Sequence, residues 1–186
     1  MKKVIWNGKP AHIWLNEIPD WTYDVIKVLQ RRLPATKRHT KTVQKLAIEM
    51  VIPGPKAHYG ALAAVFLPDD TQHLQVEVSV SKDQGDIFVG SLAERIDKVQ
   101  KGFPEEYATG FLDGIVHYDP LQTIGGGTLS FCGALHGEIG SSVGFFQAIG
   151  RLIINLLALQ LSSLSDEDLK EVIQQTMKLW YRSSRS

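Results

Sequence analysis

A single cysteine, Cys132, stands among the 186 residues, so no internal disulfide can form and a reducing compartment, the cytoplasm, is the expected setting. An excess of one charge is missing too. The 20 Lys and Arg balance the 20 Asp and Glu, so no global field draws the molecule to nucleic acid or membrane, and any affinity for a polyanion has to be local. The chain meets the turn signal Asn7-Gly8 before an apolar run builds up, which argues against a secretory leader. No phosphate loop of the form GxxxxGK followed by Ser or Thr occurs, which excludes a nucleotide-driven factor built on that motif. Internal repeats and low-complexity linkers are absent as well.

What is present is an ordinary globular composition, 44% hydrophobic and 22% charged, too apolar for disorder. A chain of this length buries roughly 70% of the surface it would expose unfolded, so a single domain needs no staples. The long apolar stretch from Val143 to Leu161 imitates a membrane span. Gln147, Arg151 and Asn155 recur every four residues, however, and draw one polar line down that helix, so the reading is a core helix, or one shared with a dimer partner, and no membrane contact is expected.

Residues 3–15 read as a hairpin turning on Asn7-Gly8, with Pro10 suggesting an edge strand. Asp20 is placed to cap a helix whose apolar positions Trp21, Val25, Val28, Leu29 and Leu33 keep helical spacing up to Pro34. Three alternating strands follow, marked by Leu46, Ile48, Met50 and Ile52, then Leu62, Ala64 and Phe66, then Leu74, Val76, Val78 and Val80. Such alternation predicts one buried and one wetter face. Residues 82–102 carry two readings, an amphipathic helix after Ser91 or a strand end at Ile87-Phe88-Val89. Pro104 opens a helix with Glu105 and Glu106 at its positive end and Tyr107, Phe111 and Ile115 on its buried stripe. Gly125-Gly126-Gly127 leads into a strand, Thr128 to Leu135, with Leu129, Phe131 and Leu135 on one face. Ser141 or Ser142 caps the long apolar helix, and Ser165 with Asp168 starts a last helix.

Four local patterns then coincide in order: Tyr59-Gly60 with a strand closing on Pro68; Pro104-Glu105-Glu106-Tyr107 with Phe111 and Gly114-Ile115; a strand running into His136; and Ser141-Ser142 with Phe146. In these, residues 44–160 resemble domain IV of translation elongation factor G, with residues 1–43 and 161–186 as extensions. The resemblance implies an α+β domain of the ribosomal protein S5 domain 2-like fold, a four-stranded mixed sheet backed by helices. To it would be added an N-terminal hairpin and helix and a C-terminal helix. It also implies two tip loops, one holding Gly54, Lys56 and His58, the other running from His136 to Ser141. The first loop departs from the family pattern in being stiffened by Pro53 and Pro55, and the second in an extra residue between His136 and the serines.

A block without acidic residues between Asp24 and Glu49 contains Lys27, Arg31, Arg32, Lys37, Arg38, Lys41 and Lys45. It has the composition to track phosphates or to form a solvated face and a basic linker, and it lacks the aromatics of a stacking platform. His58 and His136 lack a clear third ligand, so no metal or other cofactor is expected. Four residues of extended strand put Cys132 and His136 about 13 Å apart, too far for a thiol–imidazole pair. The leading expectation is a non-catalytic binding protein that engages RNA, the ribosome or a protein partner through the tip loops and the basic block. A small-molecule-binding protein or enzyme and a structural homo-oligomer are the alternatives.

Overall fold

The protein is described by a computed structural model over residues 1–36, 42–159, 161 and 164–183. The architecture is α+β, as expected, but the sheet has eight strands rather than four. They are β1 (Lys2–Trp6), β2 (Lys9–Leu15), β3 (Lys27–Pro34), β4 (Gln44–Ile52), β5 (His58–Pro68), β6 (His73–Val80), β7 (Val99–Lys101) and β8 (Gly127–Gly137). Among the described residues there are also three α-helices, α1 (Glu105–Ile115), α2 (Val143–Leu157) and α3 (Asp166–Ser183), and a short 3-10 helix, Asp119–Ile124.

Strand order is β1-β2-β4-β5-β8-β6-β3, antiparallel except for the parallel pair β6–β8. Leu135 faces Ala61 of β5 on one side and Lys101 of β7 on the other, so β7 continues the edge of β8 that β6 occupies lower down.

The extra strands come from segments whose local signals were ambiguous. The expected helix over 21–33 is instead β3, an edge strand paired along its whole length with β6. Leu29 and Leu33, four apart, share a face in either conformation. The β-branched Val25, Ile26 and Val28 favour the extended one, where the free edge of β6 supplies a ladder. The hairpin is as expected, with Asn7 and Gly8 both at positive φ (47° and 74°). Its edge strand is β1, however, not β2. Pro10 is tolerated because pairing of β2 with β4 begins only at Ala11. Residues 82–98 are neither helix nor strand, apart from the isolated bridges Ser81–Pro104 and Ile87–Gln100.

All three helices lie on one face of the sheet. Leu46, Ile48 and Met50 of β4, Leu62 and Phe66 of β5, and Leu74, Val76 and Val78 of β6 pack there with Phe111, Phe145, Phe146, Ile149, Ile153, Leu169 and Met177. Gly60 lets α2 approach β5, since a Cβ there would sit 3.0 Å from Ile149 and 3.1 Å from Phe146. The polar line of α2 turns toward its neighbours rather than solvent. Gln147 donates to the Gly110 carbonyl (2.8 Å), Arg151 lies over the Tyr118 ring (5.4 Å), and Asn155 accepts from the Tyr118 hydroxyl and donates to Thr176 (2.9 Å each). No helix among the described residues is long and apolar enough to cross a membrane.

The opposite face is drier than alternation suggested. Ala47 and Val51 of β4 and Tyr59, Ala61 and Ala63 of β5 are buried there under Trp21, Ala93 and Val99. Segments 16–24 and 84–98 supply that cover without helices. Strand β8 crosses from one core to the other through a bulge. Ala64 pairs with Phe131 and Ala63 with Gly133, so Cys132 is skipped. Leu129 and Phe131 therefore face the helices, whereas Leu135 faces the opposite core, contrary to the strict alternation expected of this strand.

Candidate functional site

Antiparallel pairing brings the end of β4, the start of β5 and the end of β8 to one end of the sheet. That end carries both segments expected as tip loops, Gly54 to His58 and His136 to Ser141; His58 and His136 belong to β5 and β8, and the loops proper are 53–57 and 138–142. They are locked together by backbone and hydroxyl bonds: the Tyr59 N–H donates to the Gly140 carbonyl (2.9 Å), and Ser141 Oγ donates to the Tyr59 carbonyl (2.9 Å) while accepting from the Gly137 N–H (2.8 Å). Ser141 is thus a tie between loops. Ser142 is the helix cap, accepting from the Phe145 N–H at 3.3 Å.

A third segment braces the second loop. The Asp97 carboxylate accepts from the Gly140 N–H (2.7 Å) and the Ile139 N–H (3.2 Å), and Lys98 pairs with Glu138 (2.7 Å). A Cβ on Gly137 would come within 2.1 Å of Asp97, so the close approach of that carboxylate requires the glycine.

The sequence-selected residues divide clearly. Gly54 and Lys56 sit on the exposed rim of the first loop, and a Cβ on Gly54 would meet nothing. His58 is half-buried against Trp180 (5.0 Å) and Phe145 (5.7 Å), and burial, helped by Lys56, holds its pKa below the usual imidazole value. His136 is buried, with Nδ1 donating to the Gly102 carbonyl (3.0 Å) and the ring 6.0 Å from Tyr107. Burial lowers its pKa although its carbonyl partners favour the charged form. Both histidines are packing groups, and of the sequence-selected side chains at this end it is Lys56 that is exposed. Arg31 and Arg32 lie on β3, at the far edge of the sheet, and Arg31 is 3.6 Å from Asp113. Lys37, Arg38 and Lys41 fall outside the described residues. The flanking Pro34 and Gln44 mark the opposite end of the sheet from the loops, so Arg31 and Arg32 do not extend the loop surface.

Several groups carry no local sequence signal of their own. Glu49 is buried on the face opposite the helices, where its carboxylate accepts from the Tyr59 hydroxyl (3.0 Å), the Leu92 N–H (2.8 Å) and His12 Nδ1 (3.1 Å). This knot joins β2, β4 and β5 to the turn at 91–92. Its one hint was the apolar Ala47 and Val51 flanking an acid on a face expected to be wet. Ile87, Val89, Ile96 and Ile139 are likewise exposed beside the second loop.

Catalytic arrangements are less developed. A polar cleft of about 500 Å³ is lined by Tyr23, Asp24, Ser81, Lys82, Asp86 and Lys101, among others. Among the described residues, no hydrogen bond or ion pair joins two of its titratable side chains. Burial raises the Cys132 thiol pKa, which disfavours the thiolate a nucleophile would need. Among the described residues, no group of three or more His, Cys, Asp or Glu side chains could hold a metal ion. Comparison with known protein families, with curated proteins and with solved structures finds no match to this chain.

Proposed function

We propose that the chain is a non-catalytic binding protein that engages a partner protein with the sheet end where loops 53–57 and 138–142 meet. The observation that carries this reading is the construction of that end. Asp97, Ser141 and the Tyr59–Gly140 backbone bond tie the second loop to the sheet beside the first, while Lys56 and Ile139 are exposed at their tips, Ile139 with 85% of its surface exposed. A braced loop with uncovered apolar and charged tips beside it is a surface suited to contact. The resemblance to domain IV of elongation factor G supports the same end, because the two segments it would assign to tip loops meet here.

A protein is favoured over nucleic acid on charge. Lys56, Arg95 and Lys98 share this end with Glu94, Asp97 and Glu138, so phosphates would meet as many anions as cations. The test is capture from native extract on the immobilised full chain, with and without nuclease, comparing wild type with Lys56→Glu and Ile139→Asp. The expected result is a nuclease-resistant partner lost from both variants. Capture abolished by nuclease assigns the partner to RNA, and capture indifferent to both substitutions removes the loop end as the contact surface.

A further inference from the structure

We propose that a second site, for a small aromatic phosphate monoester, lies in the groove between the β1–β2 turn and the C-terminal half of α3; it goes beyond the loop-end reading and stands without it. The groove, of about 500 Å³, is lined by Trp6 and Asn7 from the turn and by Gln174, Lys178, Tyr181 and Arg182 from the helix. That volume falls within the roughly 300–1,000 Å³ of small-molecule sites. Val4 and Trp6 share the helical core with Ile173, Met177 and Trp180, so both walls rest on packed elements.

The charge around this groove has one sign. Lys178 and Arg182, four residues apart, share a face of α3. Lys9, on the other arm of the hairpin, places its ammonium over the Trp6 ring (4.8 Å) and the Tyr181 ring (4.9 Å). None of the three makes an ion pair among the described residues. The lining holds no carboxylate. Neither wall supplies one from its own sequence: residues 1–15 contain no Asp or Glu, and the acids of α3 end at Glu171, which accepts from Gln175 (2.9 Å). Lys178 and Arg182 also suit the negative end of the helix dipole, but Lys9 comes from a different element and owes nothing to it.

A further donor belongs to the wall. Trp6 is 5% exposed, and its indole N–H is buried without an acceptor among the described residues. Such orphaned donors are rare in folded proteins, and an oxygen on a ligand would satisfy this one. Three cations, set against about half a negative charge at the helix end, match a dianion better than a single carboxylate. A phosphate monoester brings about −1.5 to −2 charges at neutral pH and three acceptor oxygens. A flat ring attached to it finds its counterpart in the Trp6 and Tyr181 wall.

The test titrates phenyl phosphate, inorganic phosphate, benzoate and phenol into the folded full chain. The indole N–H resonances of the four tryptophans are followed by two-dimensional NMR, with that of Trp6 assigned from Trp6→Phe. Expected are a saturable shift of the Trp6 resonance with phenyl phosphate, binding about tenfold weaker or worse for inorganic phosphate and for benzoate, and no shift with phenol. Combining Lys178→Gln with Arg182→Gln should weaken phenyl phosphate about tenfold or more. Lys170→Gln, at an exposed position toward the other end of the same helix, should leave it unchanged. Lys178 and Arg182 are exposed too, and a thermal melt confirms that the variants fold. A Trp6 shift that does not saturate overturns the proposal. So does inorganic phosphate or benzoate binding as tightly as phenyl phosphate, or an equal loss on Lys170→Gln, which would reduce the effect to net charge. The loop-end reading is judged by Lys56→Glu and Ile139→Asp, so the failure of one proposal leaves the other standing.

Discussion

Replacing Glu49 by leucine keeps the side-chain volume nearly constant but strips three donors of their shared acceptor. The Leu92 N–H at 2.8 Å and the Tyr59 hydroxyl at 3.0 Å are then left in a buried setting, with His12 Nδ1 at 3.1 Å at its margin. Each stranded donor costs about 1–3 kcal/mol. Removing the desolvated carboxylate returns part of that sum. A net loss of roughly 3 kcal/mol is expected, a large share of the total stability of a domain this size. Glu49→Gln retains an acceptor oxygen for the two buried donors and changes only the group facing His12, so it should cost about 1 kcal/mol. Urea unfolding followed by circular dichroism reads both as shifts of the midpoint at constant slope. A second substitution sharpens the test: Tyr59→Phe removes one stranded donor, so it should be close to neutral in the Glu49→Leu background and destabilising in the wild type. If Glu49→Leu lies within about 1 kcal/mol of wild type, the carboxylate does not hold turn 91–92 to the sheet and the reasoning fails.

In the interior of α2, Gly150→Ala should lower the melting temperature rather than raise it. The roughly 1 kcal/mol of helix propensity is outweighed by a Cβ placed 2.4 Å from the Phe111 ring and 2.9 Å from Ile115. Ser142→Ala should cost about 1 kcal/mol in urea unfolding through loss of the cap on Phe145, whereas Ser142→Asp should restore it. Stability should also fall in alkali. Burial, reinforced by Glu49, holds the Tyr59 phenol well above its ordinary pKa, so above about pH 10 the unfolded chain releases a proton that the folded one keeps. The slope from Tyr59 is about 1.4 kcal/mol per pH unit, and urea midpoints that decline no less steeply in Tyr59→Phe would contradict it.

The parts legible in the sequence are those where one period has no rival. Asn7-Gly8 admits a tight turn, and Leu46 to Val80 alternates over three strands too long to read as anything else. Pro104, the serine at 142 and the Ser165–Asp168 box mark helix starts through backbone chemistry that acts locally. Residues 21–33 were misleading because a spacing of four satisfies both helix and strand, and only the unpaired edge of β6, distant in sequence, decides between them. Segment 84–98 has no sustained period, only the short helical spacing of Leu92 and Ile96, and it covers the second face with a few side chains, Phe88, Leu92 and Ala93. For the site, the meeting of the two loops was an implication of the family resemblance, and in the structure it comes from the pairing of β5 with β4 and β8. The burial of His136 and the knot at Glu49 did not, because each depends on what packs over the face a side chain happens to occupy.

The skipped residue in β8 has a bearing on how this chain can change over time. Past Cys132 the phase of the strand is reversed, which is why His136 looks toward Tyr107 rather than toward Asp97. Deleting one residue there would swap inside for outside along the last turn of strand, leading Leu135 into the helical layer and His136 under the 84–98 cover. Length at this point is therefore under tighter constraint than identity, and a homologue could replace Cys132 by almost any small residue yet not do without it.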